Sequence, residues 1–274
     1  MVRSALVVGC AALIAVTVAG CGGSSAAAPP TTTVRQLRQF GIVFPEGFTR
    51  AQMAERVQTV AKIAEQESKR KVKLSGDSYA ATTAKPRRFP GFGAEKLPYE
   101  GFLFPDTYDF DRKSTSTELV NDQLAEFTSM FGQLNLSYAR SKNLTPYDVL
   151  KIASMVEGEA QVPSERPLVA AVIYNRLAQN MPLGIDATLR YGLHIKPTQS
   201  LTQSDLANPT PYNTRLHDGL PPTPINNPGM ASLEAAAHPA HVDYLYFVRK
   251  PDHRHHYFTS NYQDFLNHEA QYGY

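Results

Sequence analysis

Cysteine is nearly absent from this chain, and the two it has, Cys10 and Cys21, both fall within the first 21 of its 274 residues. Everything after them lacks the thiols for a disulfide or a thiolate metal site, so its stability must come from packing. Charge of one sign is also scarce. A formal balance of +2 and a pI near 8.4 are too mild for a nucleic-acid-binding surface, and the short run Lys69-Arg70-Lys71-Val72-Lys73 reads as a solvated face. No internal repeat is visible. With 42% hydrophobic and 19% charged residues the chain is globular, and long enough to bury one large core or two small ones.

The longest apolar stretch, from about Ala5 to Ala19, is shorter than the roughly 20 residues of a membrane-spanning helix but fits the apolar region of a secretory signal. Arg3 precedes it, and Val18-Ala19-Gly20-Cys21 with Gly22-Gly23-Ser24-Ser25 follows. This pattern resembles a bacterial lipobox, in which Cys21 would be acylated as the mature N-terminus. A single uncleaved span that recruits flanking residues is the alternative. Either reading anchors the chain to a membrane with its bulk on the extracytoplasmic side. We read residues 1–21 as leader or anchor and 22–40 as a tether, whose Ala26 to Thr33 stretch is small, polar and Pro-containing.

Beyond the tether, Phe44-Pro45-Glu46-Gly47 marks a turn, and Thr49 with Gln52 forms a capping-box pattern ahead of Met53, Val57, Val60, Ala61 and Ala64 at helical spacing. Ser68 to Pro98 has little periodicity, so residues 41–98 are assigned to a small N-terminal module and linker and 99–274 to a larger domain. In the larger domain, Val120, Leu124, Phe127 and Phe131 share a helical face, and Ser164 is placed as the cap of a helix running to about Gln179. Asn208 to Gly229 is rich in Pro, Asn and Gly, as expected of a long structured loop. Tyr244 to Val248 and His256 to Thr259 read as paired strands.

The segment Thr145 to Ala160, TPYDVLKIASMVEGEA, carries the clearest chemistry. Thr145 suits an N-cap, Pro146 the first helical position, and Asp148 the acidic position of a capping box. Val149, Ile152, Ala153 and Val156 form the apolar stripe, with Glu157 along one edge and Glu159 along the other. An edge glutamate is partly desolvated, which raises its pKa and suits it to general acid catalysis. On the helix alone, a solvated boundary residue remains the commoner reading.

Other segments are polar or aromatic where a core would be aliphatic: EGFLFPDTY at 100–108, ASMVEGEA at 153–160, NRLAQNMPLGIDAT at 175–188 and PYNTRLHDGLPPTPINNPG at 211–229. Together with YLYFV at 244–248 and His256-Tyr257-Phe258 they resemble the signature of the endolytic murein transglycosylases, the YceG-like family. The resemblance covers roughly Tyr99 to Phe258. It implies a membrane-tethered lyase that cuts peptidoglycan strands between N-acetylmuramic acid and N-acetylglucosamine, leaves 1,6-anhydromuramyl ends, uses no cofactor or metal, and works near peptidoglycan synthases.

Carried over, the family's catalytic glutamate falls on Glu157. Retaining glycosidases commonly use two carboxylates about 5 Å apart, whereas here the substrate's own 6-hydroxyl would close the ring, so one acid and base suffices. Asn213 offers an amide for the acetamido group, or is a turn former. Glu100 and Asp106 bind sugar hydroxyls or cap backbone. Asp186 and Tyr212 line the same groove, and Glu159 keeps Glu157 protonated by like-charge repulsion. Phe102, Phe104 and Tyr108 suit sugar stacking, with core packing the blander role for at least two of them. His253, His255 and His256 have poor spacing for a metal, and His256 is read as structural or at the groove edge. The chain departs from the family in two places. Only the end of a LysM-like module is recognisable, around FPEGFTRAQMAERV at 44–57, and Arg215 follows Y-N-T, where it reaches a stem-peptide carboxylate or faces solvent. The expected fold is α+β, with helices packed on a short antiparallel sheet. A muramidase-type hydrolase and a non-catalytic peptidoglycan-binding lipoprotein are the rival functions.

Overall fold

The computed structural model describes residues 39–273 apart from Pro197; Cys21, the leader and most of the tether lie outside the described residues. Strand β1 (Phe40–Val43) leads through a turn into helix α1 (Arg50–Ser68), where Thr49 and Gln52 form the expected capping box and Met53, Val57, Ala61 and Ala64 are buried. A short helix α2 (Gly76–Thr82) follows, capped by Ser75. β1 then pairs antiparallel with β2 (Thr107–Phe110), matching Ile42 to Tyr108 and Phe40 to Phe110. This pairing crosses the boundary expected between 98 and 99. One apolar cluster runs from Ile42 to Ala237, with the Phe89 ring stacked on Phe102 at 3.7 Å. Residues 41–98 therefore share the core of the rest, and the expected linker contains α2, the core residue Phe89 and the partly buried Phe92 packed against it.

Helix α3 (Ser116–Gly132) buries Val120, Phe127 and Phe131, with Leu124 packed at the edge, and leads through α4 (Ser137–Ser141) to α5 (Pro146–Glu159). Thr145 and Asp148 cap α5 as expected, and Val149, Leu150, Ile152, Ala153, Met155 and Val156 are all fully buried. A helix apolar on so much of its circumference belongs in the interior, and each such side chain contributes roughly 1.5–3 kcal/mol of burial. α6 (Arg166–Ala178) begins after a 3-10 turn at Pro163–Glu165, with no side-chain cap; Ser164 lies inside that turn instead of capping the helix. Helices α7 (Asp186–Leu193) and α8 (Gln203–Leu206) precede the Pro- and Asn-rich loop, which ends at α9 (Met230–Ala237). α9 is Met-Ala-Ser-Leu-Glu-Ala-Ala-Ala, and its small side chains let it pack closely on α5 and α6.

Strands β3 (Tyr246–Arg249) and β4 (His256–Thr259) form a second antiparallel ladder, against which α10 (Tyr262–Tyr272) packs. The first strand starts two residues later than the sequence pattern suggests. Mixed helices with short antiparallel pairing are as expected, but the pairing is divided between two separate ladders. Phe102, Phe104 and Tyr108 are all core residues.

Candidate active site

The last turn of α5 points Glu157 at the N-terminus of α9. Its Oε2 accepts the Ser232 hydroxyl at 2.6 Å and the Gly229 backbone N–H at 3.2 Å. Gly229 is the N-cap of α9 and Ser232 its third residue, so the carboxyl sits at the positive end of a helix whose orphan N–H groups favour negative charge. Arg166, the first residue of α6, donates its Nε to the Ser232 hydroxyl at 3.0 Å and places Nη2 3.8 Å from Glu157 Oε1. Only 8% of the Glu157 side chain is exposed. Among the described residues, Oε2 is held by two donors and Oε1 by none, so Oε1 is the oxygen free to carry a proton to a ligand.

A second carboxylate stands beside the first. Glu46, in the turn between β1 and α1, has its Oε2 3.9 Å from the same Arg166 Nη2. Partial burial and the charge of Glu157 raise the Glu46 pKa, and Arg166 opposes the rise. The adjacent Gly47 lies against Glu157, because a Cβ there would fall 3.5 Å from Glu157 Cγ.

The loop between α8 and α9 is stitched to this site from below. Ser154 of α5 accepts the Ile225 N–H at its hydroxyl and the Asn226 amide at its carbonyl. Asn227 is fully buried: its amide donates to the Phe48 carbonyl and Glu100 Oε1, and its Oδ1 accepts the N–H groups of Gly101 and Leu103. Gly101 has φ +90, and a Cβ there would come within 2.7 Å of the Pro224 ring, so this crossing of two loops requires glycine.

The other residues singled out from the sequence fall in different places. Glu159 does not face Glu157. Two residues apart on a helix puts them on opposite sides, and Glu159 instead accepts the Ala187 N–H at 3.3 Å, with its pKa raised by burial and by Asp186. Asn213 is wholly buried, with its amide donating to the carbonyls of Leu206 and Asn208 and its Oδ1 accepting the Arg215 N–H. That commits both donors of its amide to holding the loop. Glu100 is likewise buried, accepting the Arg50 N–H, the Tyr191 hydroxyl and the Asn227 amide, and burial pushes its pKa up to about 7. Asp106 is exposed and caps the following Thr107 N–H. Asp186 pairs with Arg215 at 2.5 Å on the surface, and Tyr212, half-buried, bonds the Thr223 hydroxyl and meets Tyr191 edge-on. His256 is buried with Nδ1 2.8 Å from Glu165 Oε2, while His253 and His255 lie in the exposed turn before β4. No group of three or more His, Cys, Asp or Glu among the described residues is placed to hold a metal.

A family model for the YceG-like family matches residues 25–271. The chain belongs to the YceG-like family. Over 155 residues it is 39% identical to the endolytic murein transglycosylase of Bacillus subtilis (strain 168), an alignment covering 57% of this chain and 43% of that protein. The endolytic murein transglycosylase of Streptococcus pneumoniae (strain ATCC BAA-255 / R6) is 34% identical over 171 residues, 60% of this chain and 30% of that one. The matched part thus spans less than half the length of these curated relatives. The crystal structure of a yceG-like protein from Listeria monocytogenes superposes with a TM-score of 0.66 at 28% identity, covering 83% of this chain and 75% of that one.

Within this YceG-like chain, sequence reasoning passes over Glu46, Arg166, Ser232 and Gly229. A signal existed for Arg166. A cation at the first position of a helix opposes the positive end of the macrodipole, an unfavourable placement unless a nearby anion compensates. Glu46 carries a weaker one: the capping box of α1 is complete without it.

Proposed function

We propose that this protein is an endolytic peptidoglycan lytic transglycosylase, with Glu157 as both acid and base. The observation that carries the reading is the Glu157 carboxyl, held by two donors on Oε2 with Oε1 left free beside a guanidinium. The relatives named endolytic murein transglycosylases supply the substrate class, glycan strands of N-acetylmuramic acid and N-acetylglucosamine. In the first step Glu157 Oε1 gives its proton to the glycosidic oxygen as the bond to the muramyl C1 breaks and an oxocarbenium-like centre develops. The N-acetylglucosamine leaves with a free 4-hydroxyl. The resulting carboxylate is stabilised by Ser232, the Gly229 N–H and Arg166, and then takes the proton of the muramyl 6-hydroxyl as O6 bonds to C1. The anhydro ring closes, Glu157 is again protonated, and no water or cofactor is consumed.

Tyr212 and Asp186, both partly exposed, are the further residues we assign to contact with the strand, whereas Glu100 and Asn213, both buried, act by holding the surrounding loops, and Asp106 is exposed at the turn before β2. The segment that resembles the end of a LysM-like module, 44–57, contributes Glu46 to the site. We place the protein on the extracytoplasmic face of the cell membrane, held by acylated Cys21 or by an uncleaved span and a tether, close to peptidoglycan synthases.

A hydrolytic reading is favoured by one observation, the second carboxylate at Glu46, which could activate a water. Mass spectrometry of uncrosslinked strands digested by wild type and by Glu157→Gln decides between them. Anhydromuramyl ends from wild type, with the Gln variant slower by at least about 10³-fold, are the expected result. Reducing ends indicate the hydrolase, and equal activity of the two proteins removes Glu157 from the reaction.

A further inference from the structure

The turn that carries Glu46 is fixed at both ends. Phe44 donates its N–H to the Asp106 carbonyl at 2.9 Å, and Gly47 donates to the Asn227 carbonyl at 2.9 Å, while Asn227 returns a backbone bond to the Phe48 carbonyl at 3.0 Å. From this turn the Glu46 side chain lies across Gly229: a Cβ at position 229 would fall 1.8 Å from Glu46 Oε1. The carboxylate thus fills the space that glycine leaves at the N-cap of α9, directly beside the groups that hold Glu157. Arg166 Nη2 is 3.9 Å from Glu46 Oε2 and 3.8 Å from Glu157 Oε1. Both separations are too long for hydrogen bonds and nearly equal, so the guanidinium stands between the two carboxyl groups without being committed to either. Its committed bond, through Nε, goes to Ser232.

We infer that Glu46 is a positioning residue for the acid: it shares the charge of Arg166, so that Glu157 keeps its proton until the glycosidic oxygen takes it, and Arg166 then balances the new carboxylate. This rests on the acid–base role of Glu157 proposed above. The charges facing Glu157 are Arg166 from α6 and Glu46 from the turn before α1; α9 faces it with the Gly229 N–H and the Ser232 hydroxyl. Without Glu46 the Arg166 charge acts on Glu157 unopposed and favours its ionised form. Partial burial and the nearby Glu157 charge raise the Glu46 pKa, and Arg166 opposes the rise, as expected of two carboxyls set around one guanidinium. The role assigned to Glu159 by its place in the motif falls to a residue from the other end of the chain.

The decisive experiment is carboxyl ¹³C NMR titration of glutamate-labelled full-length protein, with the Glu157 signal assigned from the Glu157→Gln spectrum, in wild type and Glu46→Gln. The Glu157 midpoint falls by roughly 0.5 to 1 pH unit in Glu46→Gln, and the alkaline limb of kcat/KM moves down by the same interval, so turnover above that limb drops about three- to ten-fold while the acid plateau is kept. Gly229→Ala, whose φ of −79 admits alanine, pushes the half-exposed Glu46 carboxyl into solvent and moves the midpoint in the same direction. A Glu157 midpoint that stays or rises in Glu46→Gln overturns the inference, as does a loss of rate by one factor at every pH. If wild type cuts no glycan, the transglycosylase reading fails, while the NMR midpoints still decide whether Glu46 governs the Glu157 proton.

Discussion

Three donors reach the Glu100 carboxyl, from the Arg50 backbone, the Tyr191 hydroxyl and the Asn227 amide, yet burial lifts its pKa from an ordinary 4.5 to about 7. The folded protein therefore binds a proton that the unfolded chain releases between those values. Stability falls as pH rises from 4.5 to about 7, because charging Glu100 costs the folded state alone, and the full cost of about 3 kcal/mol is present above pH 7. Glu100→Gln keeps the shape and the bonds to Oε1, and the Tyr191 hydroxyl turns to accept from the new amide. Urea unfolding at several pH values should show wild type losing stability across this window relative to Glu100→Gln; parallel curves would place the proton elsewhere. Legibility at this scale follows the locality of the signal. The helix that carries Glu157 is readable because a cap, a proline and an apolar stripe fall within one segment, and the glutamate itself is singled out only by the family motif it sits in. Arg166 and Glu46 carry only the faint local signals noted above and Ser232 carries none, so the tertiary fold alone brings them to one carboxyl.

Among the elements, the helices carry their own evidence and the loops do not. The capping boxes at Thr49 and Thr145 and the buried stripes of α1, α3 and α5 are where the 3.6-residue period places them, since both are satisfied within one turn or one face. The start of α6 is different. It is set by the 3-10 turn and by Glu165, whose carboxyl accepts the His256 N–H and faces its ring, a partner far along the chain. The Pro- and Asn-rich loop is likewise fixed by distant groups, with Asn227 as its clamp. Truncating that side chain in Asn227→Ala leaves the buried N–H groups of Gly101 and Leu103 without their acceptor, while the Phe48 carbonyl keeps the Asn227 backbone N–H and Glu100 keeps the Arg50 N–H and the Tyr191 hydroxyl. A loss of about 3 kcal/mol in unfolding free energy is expected from two stranded buried donors and two weakened acceptors. A loss under about 1 kcal/mol would mean that the loop is held by its other contacts.

On the scale of the molecule, residues 41–98 and 99–273 form one core, although composition separates them. The low periodicity of 68–98 suggests a linker, but Phe89 and Phe92 pack on Phe102, Phe127 and Phe131, and β1 completes its ladder only with β2. A fragment of 99–274 should therefore lack cooperative unfolding by circular dichroism, having lost half of a strand pair and the aromatic cover of α3. A fragment with the same sharp melt as the whole would make the N-terminal part a true module. The union is also functional, since the same segment delivers Glu46 beside Glu157, with Arg166 between them. In the mechanism proposed above, Glu157 uses the substrate's own hydroxyl and not water. Digestion of uncrosslinked glycan strands in H₂¹⁸O tests it directly, by mass spectrometry of the new muramyl ends. Anhydro ends with no ¹⁸O from wild type and no new ends from Glu157→Gln are expected; ¹⁸O at the muramyl C1 would rule the mechanism out.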